Sequence, residues 1–199
     1  MTGRRPMAFV VCSVFLLATS GASAEVATIC PPPPTTKLEA FEIQEGVTIL
    51  QGRSFIGVVH GVSHGRIAVV AREMTNMSTG DRRSGVTIRV TESADREKER
   101  SAEVRESTSY IDYDELRALI RSLDQLGTLY RTSTRLDQFG GDYRTKGYFH
   151  LSVHGFGADA WLSVTSGLIE PVTASFQITD LRKLRYLLED AVAKIDGTK

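Results

Sequence analysis

From residue 41 to the C-terminus the apolar positions follow two rhythms. Leu116, Leu119, Ile120, Leu123 and Leu126 recur at intervals of three and four, which puts all five on one helical stripe. Asp114 stands where a side chain can cap the start, and Gly127 where a left-handed residue can close the end. The same rhythm returns at Leu181, Leu184, Leu187, Leu188, Ala191, Val192 and Ile195, from Thr179 or Asp180 to Gly197. Each helix has a single apolar side and is expected to pack on a sheet.

The rest alternates with the period of two that half-buried strands show. The pattern predicts strands at 47–50, 55–60, 66–72, 86–91 and 109–112, the last running straight into the first helix. A second set is predicted at 129–135, 148–154, 160–165 and 173–178. The stretch 95–105 is charged throughout and reads as a hairpin tip or solvated loop. Trp161, between Ala160 and Leu162, is expected in the core.

The two sets look related. Phe55 to Gly61 matches Phe149 to Gly155 as F-x-x-x-V-H-G. Leu116-Arg117-Ala118-Leu119 matches Leu181-Arg182-Lys183-Leu184, each after a strand that begins Ser-aromatic (Ser109-Tyr110 and Ser175-Phe176). The first offset is 94 residues and the second 65, which implies an insertion near the charged stretch. The expected fold is α+β: antiparallel meanders with two amphipathic helices on the sheet, a duplicated meander-plus-helix unit with halves at 41–127 and 128–199.

The N-terminus is of another kind. Arg4 and Arg5, an apolar run from Met7 to Ala18 and the small residues Ala22-Ser23-Ala24 form a secretory signal over 1–24. The apolar run is about 12 residues, too short to span a bilayer. Pro6 and Met7 fit a twin-arginine signal poorly, so a Sec-type signal is expected. Pro31 to Pro34 then enforce an extended stretch, and residues 25–40 read as a linker or disordered lead.

Charge narrows the partners. The chain carries 24 basic and 24 acidic side chains; removing residues 1–24 takes away Arg4 and Arg5 and no acid, leaving a formal charge of −2. Nucleic acid capture needs a concentrated basic face, which this balance does not provide. Cys12 leaves with the signal, so Cys30 has no internal disulfide partner. Ile29 stands where a lipid-anchor signal needs a small residue. Cys30 is expected as an exposed thiol, or as one half of an intermolecular disulfide.

The run Tyr110-Ile111-Asp112-Tyr113-Asp114-Glu115-Leu116, with Tyr143-Arg144-Thr145-Lys146-Gly147 further on, resembles a broad group of exported proteins of unknown function. The resemblance covers most of residues 45–195. It implies an α+β fold and brings no activity with it. The repeated meander-plus-helix plan is also similar in topology to the PUR and Whirly single-stranded nucleic acid binders. Arg131, Arg135, Tyr143, Arg144, Lys146 and Tyr148 would supply the basic and aromatic groups that such binding needs, but export and net charge oppose that role.

Three constellations carry candidate chemistry. Gly61-Val62-Ser63-His64-Gly65 matches G-x-S-x-G, the nucleophile elbow of α/β-hydrolases. That reading makes Ser63 the nucleophile, His154 or His150 the base and Asp142 or Asp137 its orienting acid. The elbow also requires a helix after the serine, whereas Arg66 to Val70 has strand composition. His60, His64, His150 and His154 form two pairs spaced by four. On a strand such a pair, as expected for His150 and His154, lies ~13 Å apart; His60 and His64 flank a turn and can approach each other, so a metal site would have to bring His60 or His64 near His154, with a carboxylate added. Asp112, Asp114 and Glu115 offer clustered oxygens for a hard cation, at a helix start where acids are favoured without one.

No motif names a reaction or implies a cofactor. The expected role is that of a secreted or periplasmic, non-enzymatic binding, assembly or structural module of the cell envelope. Sheet edges offer it a route to homo-oligomers or an extended partner. A small exported hydrolase using Ser63 is the alternative, and a histidine-based metal-binding protein a further one.

Overall fold

The computed structural model describes residues 33–93, 104–129, 134–156 and 159–199. A short helix, α1 (Lys37–Glu42), precedes four strands, β1 (Ile49–His60), β2 (Arg66–Asn76), β3 (Arg82–Ser93) and β4 (Val104–Asp112). They form an antiparallel sheet in chain order and lead into α2 (Tyr113–Gly127). The plan then repeats: β5 (Gln138–Arg144), β6 (Phe149–Phe156), β7 (Asp159–Ser166) and β8 (Val172–Gln177) form a second antiparallel sheet, followed by α3 (Asp180–Asp196). The protein is an α+β fold in which a four-stranded meander followed by a helix occurs twice.

Alternation decides which face of each sheet is inward. Val86, Ile88 and Val90 on β3 and Phe149, Leu151 and Val153 on β6 are all fully buried. They join the leucine stripes of α2 and α3 in one apolar cluster, where each such side chain contributes roughly 1.5–3 kcal/mol. Neither helix is confined to its own meander. α3 lies against β1 and β2, and α2 touches α3, β3, β4 and β5. Leu187 of α3 fills the space over Gly57, so a Cβ there would come within 2.6 Å of its Cδ2.

Several sequence expectations need correction. Residues 33–40 are not a lead: Thr36 caps α1 by accepting from Glu39 N–H at 3.1 Å. Leu38 and Phe41 are buried with Met74 in a second small cluster. Glu42 fastens the helix end by accepting from Arg72 Nη2 at 2.7 Å and Gln51 Nε2 at 3.0 Å. Burial and the adjacent Glu42 carboxylate push the Tyr110 phenol up to about 12, so it stays protonated. Residues 1–32, with Cys30 and the expected signal, lie outside the described residues. The strands expected at 47–50 and 55–60 are one strand, which begins at Ile49 rather than 47. Position 129 continues the end of α2, with Leu129 N–H donating to the Leu126 carbonyl at 3.2 Å. Positions 135–137 are bends, 134 has no regular structure and 130–133 lie outside the described residues, so the strand expected at 129–135 is replaced by β5. Within 95–105, residues 95–103 are likewise outside the description, and Arg105 belongs to β4.

The F-x-x-x-V-H-G match is a coincidence of strings, since it sets β1 against β6, whereas the repeat pairs β1 with β5 and β2 with β6. A bulge between Phe55 and Gly57 shifts the register of β1 and turns Phe55 outward, 66% exposed, while Phe149 is fully buried. The helix match at an offset of 65 does join α2 to α3. The helix ends also differ from expectation. Asp112, not Asp114, is the N-cap of α2, and Thr128 closes it in a right-handed conformation with φ −95°. Its side chain donates to the Gln125 carbonyl at 2.7 Å, which removes the need for a left-handed glycine.

Candidate functional site

Ser63 lies in the turn between β1 and β2, where Gly65 N–H donates to the Val62 carbonyl at 3.1 Å. Ser63 and His64 between them have φ of 51° and 63°, the left-handed pair of a type I′ hairpin turn. Strand β2 follows, so the helix that a nucleophile elbow demands is missing. The supposed partners are elsewhere. The turn packs against β8, where a Cβ on Gly65 would meet Ala174 at 2.8 Å. Strand β6, with His154, lies two strand spacings from β8, ~10 Å, and β5, with Asp142, three spacings, ~14 Å. Asp142 accepts or shares its hydrogen bond with His150 Nε2, at 2.8 Å, rather than with His154. Asp137 is exposed in the bend before β5. The Ser63, His154, Asp142 triad is therefore not assembled.

The metal reading fares no better. His60 ends β1 and His64 is in the turn, both exposed, whereas His154 is on the second sheet. Among the described residues no group of three or more His, Cys, Asp or Glu side chains is placed to hold an ion. The acids at the start of α2 have separate duties. Asp112 accepts from the N–H groups of Lys37 and Leu38 at 3.0 and 2.8 Å. Asp114 pairs with Lys37 at 2.6 Å, and Glu115 accepts from Lys146 N–H at 3.0 Å. Three concavities of about 400, 410 and 380 Å³ lie along the helices, and neither a histidine nor Ser63 lines any of them.

What the chain does present is the outward face of the second sheet. Leu162 and Val164 point inward with almost no exposure, so period-two alternation turns Trp161, Ser163 and Thr165 outward on β7. Trp161 is 49% exposed and Phe156 is 61% exposed, which corrects the expectation that Trp161 is core. None of the described outward residues of β5, β6, β7 and β8 is buried. The first sheet differs: on its outward face Arg72, Met74 and Asp112 are buried, with α1 lying against β2, β3 and β4.

Register organises this open face into rows. His154 on β6 and Gln177 on β8 stand on either side of Trp161. The His154 and Trp161 rings approach to 6.0 Å between centroids at a tilt of 32°, within the range of favourable ring pairs. The next row is Asp142, Ser152, Ser163 and Ser175. Beyond it lie Arg144, His150, Thr165 and Thr173, with the two threonine hydroxyls 2.8 Å apart. The hydrogen bond with His150 holds the Asp142 carboxyl below its usual range, helped by Ser152, so Asp142 remains an acceptor at neutral pH.

Such a face offers an aromatic plane, a fixed carboxylate, an amide and hydroxyls, with no nucleophile held by a base. The sequence contained the signal for it, since Leu162 and Val164 set the phase that puts Trp161 with Ser163 and Thr165. The apolar neighbours of Trp161 obscured that phase. No family model, curated protein or solved structure matches the chain.

Proposed function

We propose that the protein is a secreted or periplasmic, non-enzymatic binding module of the cell envelope, and that the outward face of the second sheet is its binding surface. The exposure of Trp161 carries this reading. An indole left half in water on a face with no buried residue forgoes ~1 kcal/mol or more of burial, a cost that function explains better than folding. The signal-like N-terminus supports export. Among the described residues no helix is long and apolar enough to cross a membrane.

The test is envelope cross-linking with a photoreactive residue at position 163, between Trp161 and Thr165. A specific adduct in the native protein that disappears in the double variant Trp161→Ala, Phe156→Ala, with unchanged circular dichroism, supports the reading. An adduct pattern that the double variant leaves intact overturns it. A second reading, assembly through sheet edges, rests on β1 and β5, each with one neighbouring strand. Sedimentation showing a strict monomer at all concentrations removes it.

A further inference from the structure

Resting on that assignment of the face, we propose that its ligand is a neutral polysaccharide chain lying across β5 to β8. Shape comes first. Small molecules are held in concave pockets that bury most of their surface, but here the groups are spread over a sheet. Trp161 on β7 and Asp142 on β5 are two strand spacings apart, ~10 Å, and the whole face is ~14 Å across. A ligand touching both ends must be extended.

Its polarity follows from the side chains. A sugar ring has a C–H face that stacks on an aromatic plane and a rim of hydroxyls that both donate and accept. Trp161 supplies the plane, with its N–H as a donor. Asp142 supplies an acceptor that a hydroxyl can satisfy, Gln177 both functions, and Ser163 and Thr165 groups that rotate to suit. Acceptor and donor sites thus lie beside the aromatic surface, in the rows that follow it.

Charge removes the competing ligands. Arg144 is the one permanent cation on this face among the described residues, against the carboxylates of Asp142 and Asp159. Phosphodiester chains and anionic lipid surfaces are held by clustered Lys and Arg, and here they would meet more negative than positive charge. An extended peptide adds to a sheet edge through backbone hydrogen bonds, not to the face. A folded protein partner needs a continuous apolar centre, whereas the aromatics Trp161 and Phe156 stand at one end of rows of serine and threonine. A neutral, hydroxyl-rich polymer is what remains.

Trp161 is the chain's single tryptophan, so its fluorescence reports on this face alone. The purified protein is titrated with neutral oligosaccharides of the gluco-, xylo- and N-acetylglucosamine series, with single-stranded DNA and anionic vesicles as comparators. The expected result is a saturable change with at least one neutral series, tightening with chain length. Asp142→Ala should weaken it about tenfold, the loss of one hydrogen bond to a charged group, and Gln177→Ala should weaken it less. Saturable binding that both variants leave unchanged overturns the proposal, because the polar rows then do not read the ligand, and leaves the face standing. A response only to DNA or to vesicles overturns the ligand class and leaves the face standing. No response to any of them overturns the glycan proposal, and the cross-linking at position 163 then decides separately whether the face binds anything.

Discussion

Ser109 of β4 and Ser166 of β7 share a hydrogen bond of 2.7 Å with 1% and 0% of their surfaces exposed. This contact joins the two sheets, and each hydroxyl answers the other's need in a place without water. Ser166→Ala should therefore cost about 1–3 kcal/mol, because Ser109 is left buried without that partner. The double variant Ser109→Ala, Ser166→Ala should recover most of the loss. Urea denaturation of the two singles and the double gives the coupling directly, and additive losses would refute the account.

Asp112 contributes two acceptor oxygens to α1 through the backbone of Lys37 and Leu38, although it is also the N-cap residue of α2. Asp112→Ala should release α1, at a cost of roughly 2–3 kcal/mol for two charge-assisted hydrogen bonds. Amide exchange at Leu38 and Phe41 should accelerate well before global unfolding. Asp112→Asn keeps one acceptor and should fall between. Unchanged exchange at Leu38 in Asp112→Ala would show that apolar contacts with Met74 suffice to hold the helix.

The turn after β1 holds two non-glycine residues in the left-handed region, each strained by about 1 kcal/mol. Ser63→Asn with His64→Gly gives the pair that type I′ turns favour and should raise the melting temperature by several degrees. Ser63→Ala should leave any acyl-ester turnover at background, as in the parent protein. A parent turnover that Ser63→Ala abolishes would restore the nucleophile.

Burial raises the Glu115 carboxyl above its ordinary value of 4.5, and its Oε2 is buried without a partner. The folded state therefore binds more protons than the unfolded state between 4.5 and the raised value. Its stability falls as pH rises through that interval, and the penalty is complete above it. Glu115→Gln keeps the acceptor for Lys146 N–H and removes the charge. It should stabilise the protein at pH 7 and lose that advantage by about pH 4. An equal difference at both values would mean that shape, not charge, separates the two side chains.

The two long helices and most strands were legible because their apolar residues form long uninterrupted periods, as in Leu181 to Ile195. The short helix α1 was not, since six residues with two apolar side chains say little without Asp112 and Met74, which lie more than thirty positions away. Strand β5 was hidden by Gly140, Gly141 and Asp142, which disfavour strands and are held by pairing with β6. Trp161 was misplaced because Ala160-Trp161-Leu162 fits either phase locally, and Val164 is needed to choose. The histidines and Ser63 drew attention as motifs, yet distance between elements, which a string of residues does not display, keeps them apart.

Leu187 of α3 covers Gly57 of β1 across 130 positions of chain, and this sets an order on biosynthesis. A chain emerging from its N-terminus completes the first meander long before the helix that shields Ile67 and Val69 exists. Until residue 196 has been made, that apolar surface needs a temporary host, whether a chaperone or a wrong partner. A nonsense codon at position 179 should accordingly yield an aggregating chain, even though all eight strands would be present.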